Sequence, residues 1–152
     1  MRPFLADVLD NTAALDLGAD SCKAALYNNT ITPDNDVTAA LSAYNAGSSQ
    51  WLTAQEQFEA GQWAQGGVAL TSQVLNSGTA DTVYWDAADT VSGTGADLAN
   101  VYGCLVYDDT ITTPVADQGI SYHYFGGSNS VVNGTFTIIW AAPPSAILSF
   151  AL

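Results

Sequence analysis

Apolar and polar positions along the chain fall into one repeated phrase. Gly103-Cys104-Leu105-Val106-Tyr107-Asp108-Asp109-Thr110-Ile111-Thr112-Thr113-Pro114 opens with an apolar run, passes two acids and ends at a proline. Well upstream, Ala25-Leu26-Tyr27-Asn28-Asn29-Thr30-Ile31-Thr32-Pro33 repeats the order: apolar residues with a tyrosine, two Asx residues, Thr-Ile-Thr and a proline. Each run is too short for a free-standing helix, and its Leu, Val and Tyr suit a strand buried on both faces. An Asx residue starts a turn by accepting from the backbone two residues on, and a proline stops further ladder pairing. The phrase thus predicts two core strands, over 21–28 and 100–108, each leaving its sheet through an Asx turn.

The other segments read as wrapping around these two strands. Phe4, Leu5, Val8 and Leu9 form a helical apolar stripe, and Pro3 suits a first helical position, so 3–14 is expected to be a short helix. Leu15-Asp16-Leu17 adds a short strand. Residues 32–64 are the least regular: 37–44 suits a short helix, and 51–63 has helical spacing but weak amphipathicity. From Gly66 onward the pattern is β, with strands expected near 67–75, 82–85, 90–94, 119–125, 135–140 and 146–152. Turns are expected at Asn76-Ser77-Gly78 and Gly126-Gly127-Ser128-Asn129. The expected fold is a single mainly β domain over 1–152, an antiparallel β-sandwich of jelly-roll-like type. Residues 1–14 form its N-terminal helix or arm, and 32–64 an irregular insertion.

Charge narrows the partners. The net charge is −13, because Arg2 and Lys23 stand alone against fifteen acids. Phosphate backbones and anionic membranes both need clustered cations, so neither nucleic acid nor a membrane is expected as a partner. The 48% apolar content excludes a disordered acidic tail. With charged residues at only 11%, a docking surface is expected to be apolar and aromatic, with sheet edges contributing. Candidates are the stripe of Phe4, Leu5, Val8 and Leu9, the insertion with Trp51, Phe58 and Trp63, and the C-terminal segment. The alternative for the insertion's three aromatics is that they cap the core. The N-terminal stretch, with Asp7 and Asp10, lacks a signal peptide's apolar region, and no run is long enough to span a bilayer.

Candidate chemistry is sparse. Cys22 and Cys104 are the only cysteines, one near each copy of the phrase. They read either as a bridge between neighbouring strands or as two small buried apolar residues. Two cysteines with the single His123 do not make a zinc site, and no Gly-x-Ser-x-Gly elbow accompanies that histidine. Asp34-Asn35-Asp36, Asp86 with Asp89, and Asp108-Asp109 lack the EF-hand pattern, and turn chemistry accounts for each. No catalytic residue, metal ligand or cofactor is expected, and the chain reads as a non-enzyme.

Several strand-and-turn phrases carry a resemblance. Lys23 to Pro33, Ala64-Gln65-Gly66-Gly67-Val68-Ala69-Leu70-Thr71, Trp85-Asp86-Ala87-Ala88-Asp89, Gly103 to Asp109 and Gly134-Thr135-Phe136-Thr137-Ile138-Ile139-Trp140 resemble small β-rich structural proteins of tailed bacteriophages. The resemblance runs from about residue 15 to the end and is one of phrases, not of catalytic motifs. It implies a virion component made in the host cytoplasm, foremost a capsid decoration or minor capsid protein on the capsid surface. Its implied partners are the major capsid protein and further copies of itself. A tail, neck or host-attachment component is the alternative.

Overall fold

The structure, a computed structural model, describes residues 15–46, 50–79, 81–143 and 146–151. The two copies of the phrase become neighbouring strands. β1 (Cys22–Tyr27) and β7 (Ala96–Asp108) pair antiparallel along the whole of β1, from Cys22 opposite Asp108 to Tyr27 opposite Gly103. Both expected Asx turns form. Asn28 Oδ1 accepts from Thr30 N at 2.9 Å, and Asp108 Oδ1 accepts from Thr110 N at 2.7 Å and Ile111 N at 3.1 Å.

These strands sit inside a five-stranded sheet. β8 (Gly119–Gly134) flanks β7, while β2 (Glu56–Gln57) and β3 (Val68–Ala69) share the far edge of β1. A second sheet has the order β10 (Leu148–Ala151), β5 (Thr82–Asp86), β4 (Val74–Thr79). β6 (Thr90–Val91) and β9 (Thr137–Ile138) make a third. Every described pairing is antiparallel, so the mainly β antiparallel class holds.

Alternation along β1 and β7 sends side chains to two cores. Cys22, Ala24, Leu26, Cys104 and Val106 face the larger one, with Trp63, Trp85, Ile120, Ile138 and Trp140. Ala25, Tyr27, Leu105 and Tyr107 face the other way, against Trp51, with Ile31, Tyr44 and Tyr122 at its margin. The insertion therefore closes the second face of the central sheet. α1 (Ala39–Ser42) supplies the short helix expected within it.

Several expectations fail locally. The helical spacing over 51–63 gives a 3-10 turn (Thr53–Gln55), then β2, then a tight turn in which Glu59 and Trp63 exchange backbone hydrogen bonds at 2.8 and 3.0 Å. Gly61, at φ 83°, makes that turn and stops a helix. Leu15-Asp16-Leu17 is no strand; Asp16 closes a turn by accepting from Gly18 N and Ala19 N. β8 runs straight through Gly126-Gly127-Ser128-Asn129, which it absorbs as a bulge with Gly126 at φ 81°. β4 likewise continues past Asn76 through a register shift. In 135–140 only Thr137–Ile138 pairs, because β6 offers a partner just two residues long. The helix expected over 3–14 lies outside the described residues.

Candidate functional site

Burial removes two of the expected contact residues from the surface. Trp51 is 4% exposed and Trp63 is fully buried, so both correct to core residues. Trp51 stands edge-on to Tyr27, ring centroids 5.5 Å apart, and its carbonyl accepts from Tyr27 Oη at 2.7 Å. Trp63 donates from Nε1 to the Ala24 carbonyl at 3.1 Å and meets Phe136 edge-on. Phe58, 46% exposed, stays at the surface. Phe4, Leu5, Val8 and Leu9 lie outside the described residues.

The polar candidates make local contacts. His123 Nε2 lies 2.9 Å from Ser121 Oγ, and its ring packs edge-on against Trp140. Burial lowers the His123 pKa, keeping the imidazole neutral inside the sheet. Asp34, Asp86 and Asp89 each accept from a backbone N–H, of Asp36, Ala87 and Trp140 in turn. Among the described residues, no three His, Cys, Asp or Glu side chains group as metal ligands. Cys22 and Cys104 are free and buried. Cys104 is opposite Leu26 while Cys22 is opposite Asp108, an offset of about 13 Å along the strands and beyond disulfide reach.

An uncharged groove opens beside the second core. Tyr102, Tyr122, Tyr124, Asn28, Asn29, Ile31 and Pro33 enclose about 580 Å³. Gly103 sets its geometry: it pairs with Tyr27 on one side and Tyr124 on the other, and a Cβ there would strike Tyr122 Oη and the His123 carbonyl. The bare glycine thus lets the Tyr122 ring lie across β7. Trp51 backs that ring at 5.1 Å. Burial pushes the Tyr122 hydroxyl up to about 12, so it stays protonated. Tyr124, two residues on along β8, is 62% exposed. A smaller cavity of about 260 Å³, lined by Asp34, Asn35 and Gln50 among others, continues past Pro33 and Tyr122. The sequence draws the eye to His123 and away from this groove. Its one local signal is the alternation in Tyr122-His123-Tyr124, which puts both tyrosines on one face and the histidine on the other.

A second feature is an incompletely covered sheet face. Register aligns Leu75, Trp85 and Leu148 across β4, β5 and β10, with Val83 opposite Phe150 on the same side. Trp85 and Leu148 pack into the larger core, whereas Leu75 is 53% and Phe150 40% exposed. Leu17 lies beside Trp85, whose Nε1 donates to the Leu17 carbonyl at 2.7 Å.

Comparison with known protein families, curated proteins and solved structures finds no match.

Proposed function

We propose that the chain is a virion structural protein, a capsid decoration or minor capsid protein that binds the major capsid protein and stabilises the head shell. The observation that carries this reading is the apolar sheet face on β4, β5 and β10, where Trp85 and Leu148 pack into the core while Leu75 and Phe150 on the same side remain open. Neighbouring exposed apolar side chains on one sheet face are the kind of surface a partner can cover. With two cations in the whole chain, such a surface is also the adhesive kind this composition permits. The resemblance of the strand-and-turn phrases to tailed-phage structural proteins points the same way, as does a charge of −13 that keeps crowded copies apart. Copies gathered at a symmetry axis would form a closed ring.

The test is the copy number of this chain in purified particles, relative to the major shell protein, by quantitative mass spectrometry. A count comparable to the shell protein supports the reading, and complete absence overturns it. Replacing both Leu75 and Phe150 by serine should then strip the protein from particles while leaving its thermal unfolding cooperative. A tail, neck or host-attachment component is the second reading, favoured by the tyrosine-lined groove, and a few copies per particle would select it.

A further inference from the structure

We propose that the groove formed by Tyr102, Tyr122, Tyr124, Asn28 and Asn29 binds a neutral saccharide chain, wherever in a particle the protein sits. The volume of about 580 Å³ falls in the range of small-molecule sites. Its walls are three phenol rings, each with an apolar face and a polar tip. A pyranose has the same two-sided character: C–H groups on its faces and hydroxyls around its rim.

The lining selects against other ligand classes. It holds no Asp, Glu, Lys or Arg, so neither a cation nor an anion finds a countercharge in it. The charge of −13 adds a long-range penalty against phosphate, sulfate or uronate groups. A wholly apolar ligand would cover Asn28 and Asn29 without satisfying their carboxamides. A carboxamide both donates and accepts, as a sugar hydroxyl does. Proline-rich peptides also dock in aromatic grooves, but the carboxamide hydrogens of Asn28 and Asn29 need acceptors, which the hydroxyl rim of a saccharide supplies more densely than a proline-rich backbone does.

The site is also preformed, which lowers the ordering cost of binding. Tyr122 is fixed between Trp51 and the bare Gly103 backbone. The Asn28 side chain is held by its Oδ1, which accepts from Thr30 N at 2.9 Å and Thr30 Oγ1 at 2.6 Å. The smaller cavity beyond Pro33, lined by Asp34, Asn35 and Gln50 among others, continues the path; its carboxylate is an acceptor for sugar hydroxyls, and the two spaces together suit a linear chain of several residues better than one sugar.

The experiment screens the full chain by titration calorimetry against neutral tetra- to hexasaccharides of glucan, mannan, galactan and chitin type. Hyaluronate, dextran sulfate and a proline-rich decapeptide are run beside them. The expected result is saturable binding of at least one neutral chain and none of the two polyanions. Tyr124→Ala, at an exposed ring whose loss leaves the fold intact, should weaken binding by about tenfold. Asn29→Ala, at an exposed turn position, should weaken it further in the double variant. Three results each overturn the proposal: no neutral chain binds at millimolar concentration, binding survives both substitutions unchanged, or the decapeptide binds and the saccharides do not.

Discussion

The rings of Tyr44 and Tyr107 stack with centroids 4.8 Å apart and planes 8° from parallel. Tyr107 comes from the central strand β7 and Tyr44 from the insertion, so the stack fastens one to the other. Hydrogen bonds close the circuit. Tyr44 Oη donates to Glu56 Oε2 at 2.7 Å, Gly66 N donates to Glu56 Oε1 at 2.7 Å, and Tyr107 Oη donates to the Gly66 carbonyl at 2.6 Å. Glu56 is buried, and burial raises its pKa against the lowering effect of those two donors.

Glu56→Ala removes the acceptor for two part-buried donors at once. Leaving both unpaired should cost about 2–3 kcal/mol, read as a lower urea midpoint at unchanged slope. Tyr44→Phe deletes one bond and keeps the stack, so it should cost about 1 kcal/mol.

Gly67 is the backbone position least able to change. It lies at φ 87°, and a Cβ there would run into the Ala24 carbonyl and Ala25 N, which are strand backbone and cannot swing aside. Gly67→Ala should therefore destabilise by about 2 kcal/mol or more, whereas Gly61→Ala, with open space around it, should cost only its backbone strain of about 1 kcal/mol. Thermal melts of the two variants make the comparison.

Asp108 gives a pH signature. Its side chain is fully buried, and Oδ2 has no hydrogen-bond partner among the described residues. Burial, with the nearby Asp20 charge, pushes its pKa from 3.8 up to about 6 despite the turn N–H groups on Oδ1. Between those values the folded state holds a proton that the unfolded chain has released, so stability falls as pH rises from about 4 to about 6. Asp108→Asn keeps the Oδ1 acceptor, flattens that slope and should raise stability at pH 7 by about 1–3 kcal/mol. The lowered pKa of His123 works oppositely, withdrawing stability as pH drops below its ordinary 6.5. Urea titrations across pH 4–8 of the wild type and Asp108→Asn separate the two.

Both thiols should be silent in the native protein. Burial pushes the Cys22 and Cys104 thiols well above their ordinary range. Thiol titration with an aromatic disulfide should count none before denaturation and two after it, with identical melting in the presence and absence of reductant.

What the sequence made legible was what depends on neighbours along the chain. The apolar runs of β1 and β7, the Asx turns at Asn28 and Asp108, and short strands such as β5 all follow from local pattern. The failures depend on partners distant in sequence. Trp51 and Trp63 could be contact or core residues until a second sheet face required covering. Gly126-Gly127-Ser128-Asn129 has turn chemistry, yet it forms a bulge within β8 because β8 resumes pairing with β7 on either side of it. The groove joins the turn after β1 to two tyrosines of β8 across Gly103, and no local pattern announces that.

The pairing of β1 with β7 also sets a temporal order. Leu26 meets Cys104 across a long intervening stretch of chain, whereas β7 and β8 are joined by a short connection. Loop closure favours the β7–β8 hairpin as the early nucleus, with β1 docking onto it afterwards. On a ribosome, β1 must wait, with Leu26 and Tyr27 unshielded, until β8 has emerged through Gly134. The protein is thus committed to folding after most of its synthesis, and that interval is when chaperones have their access to it.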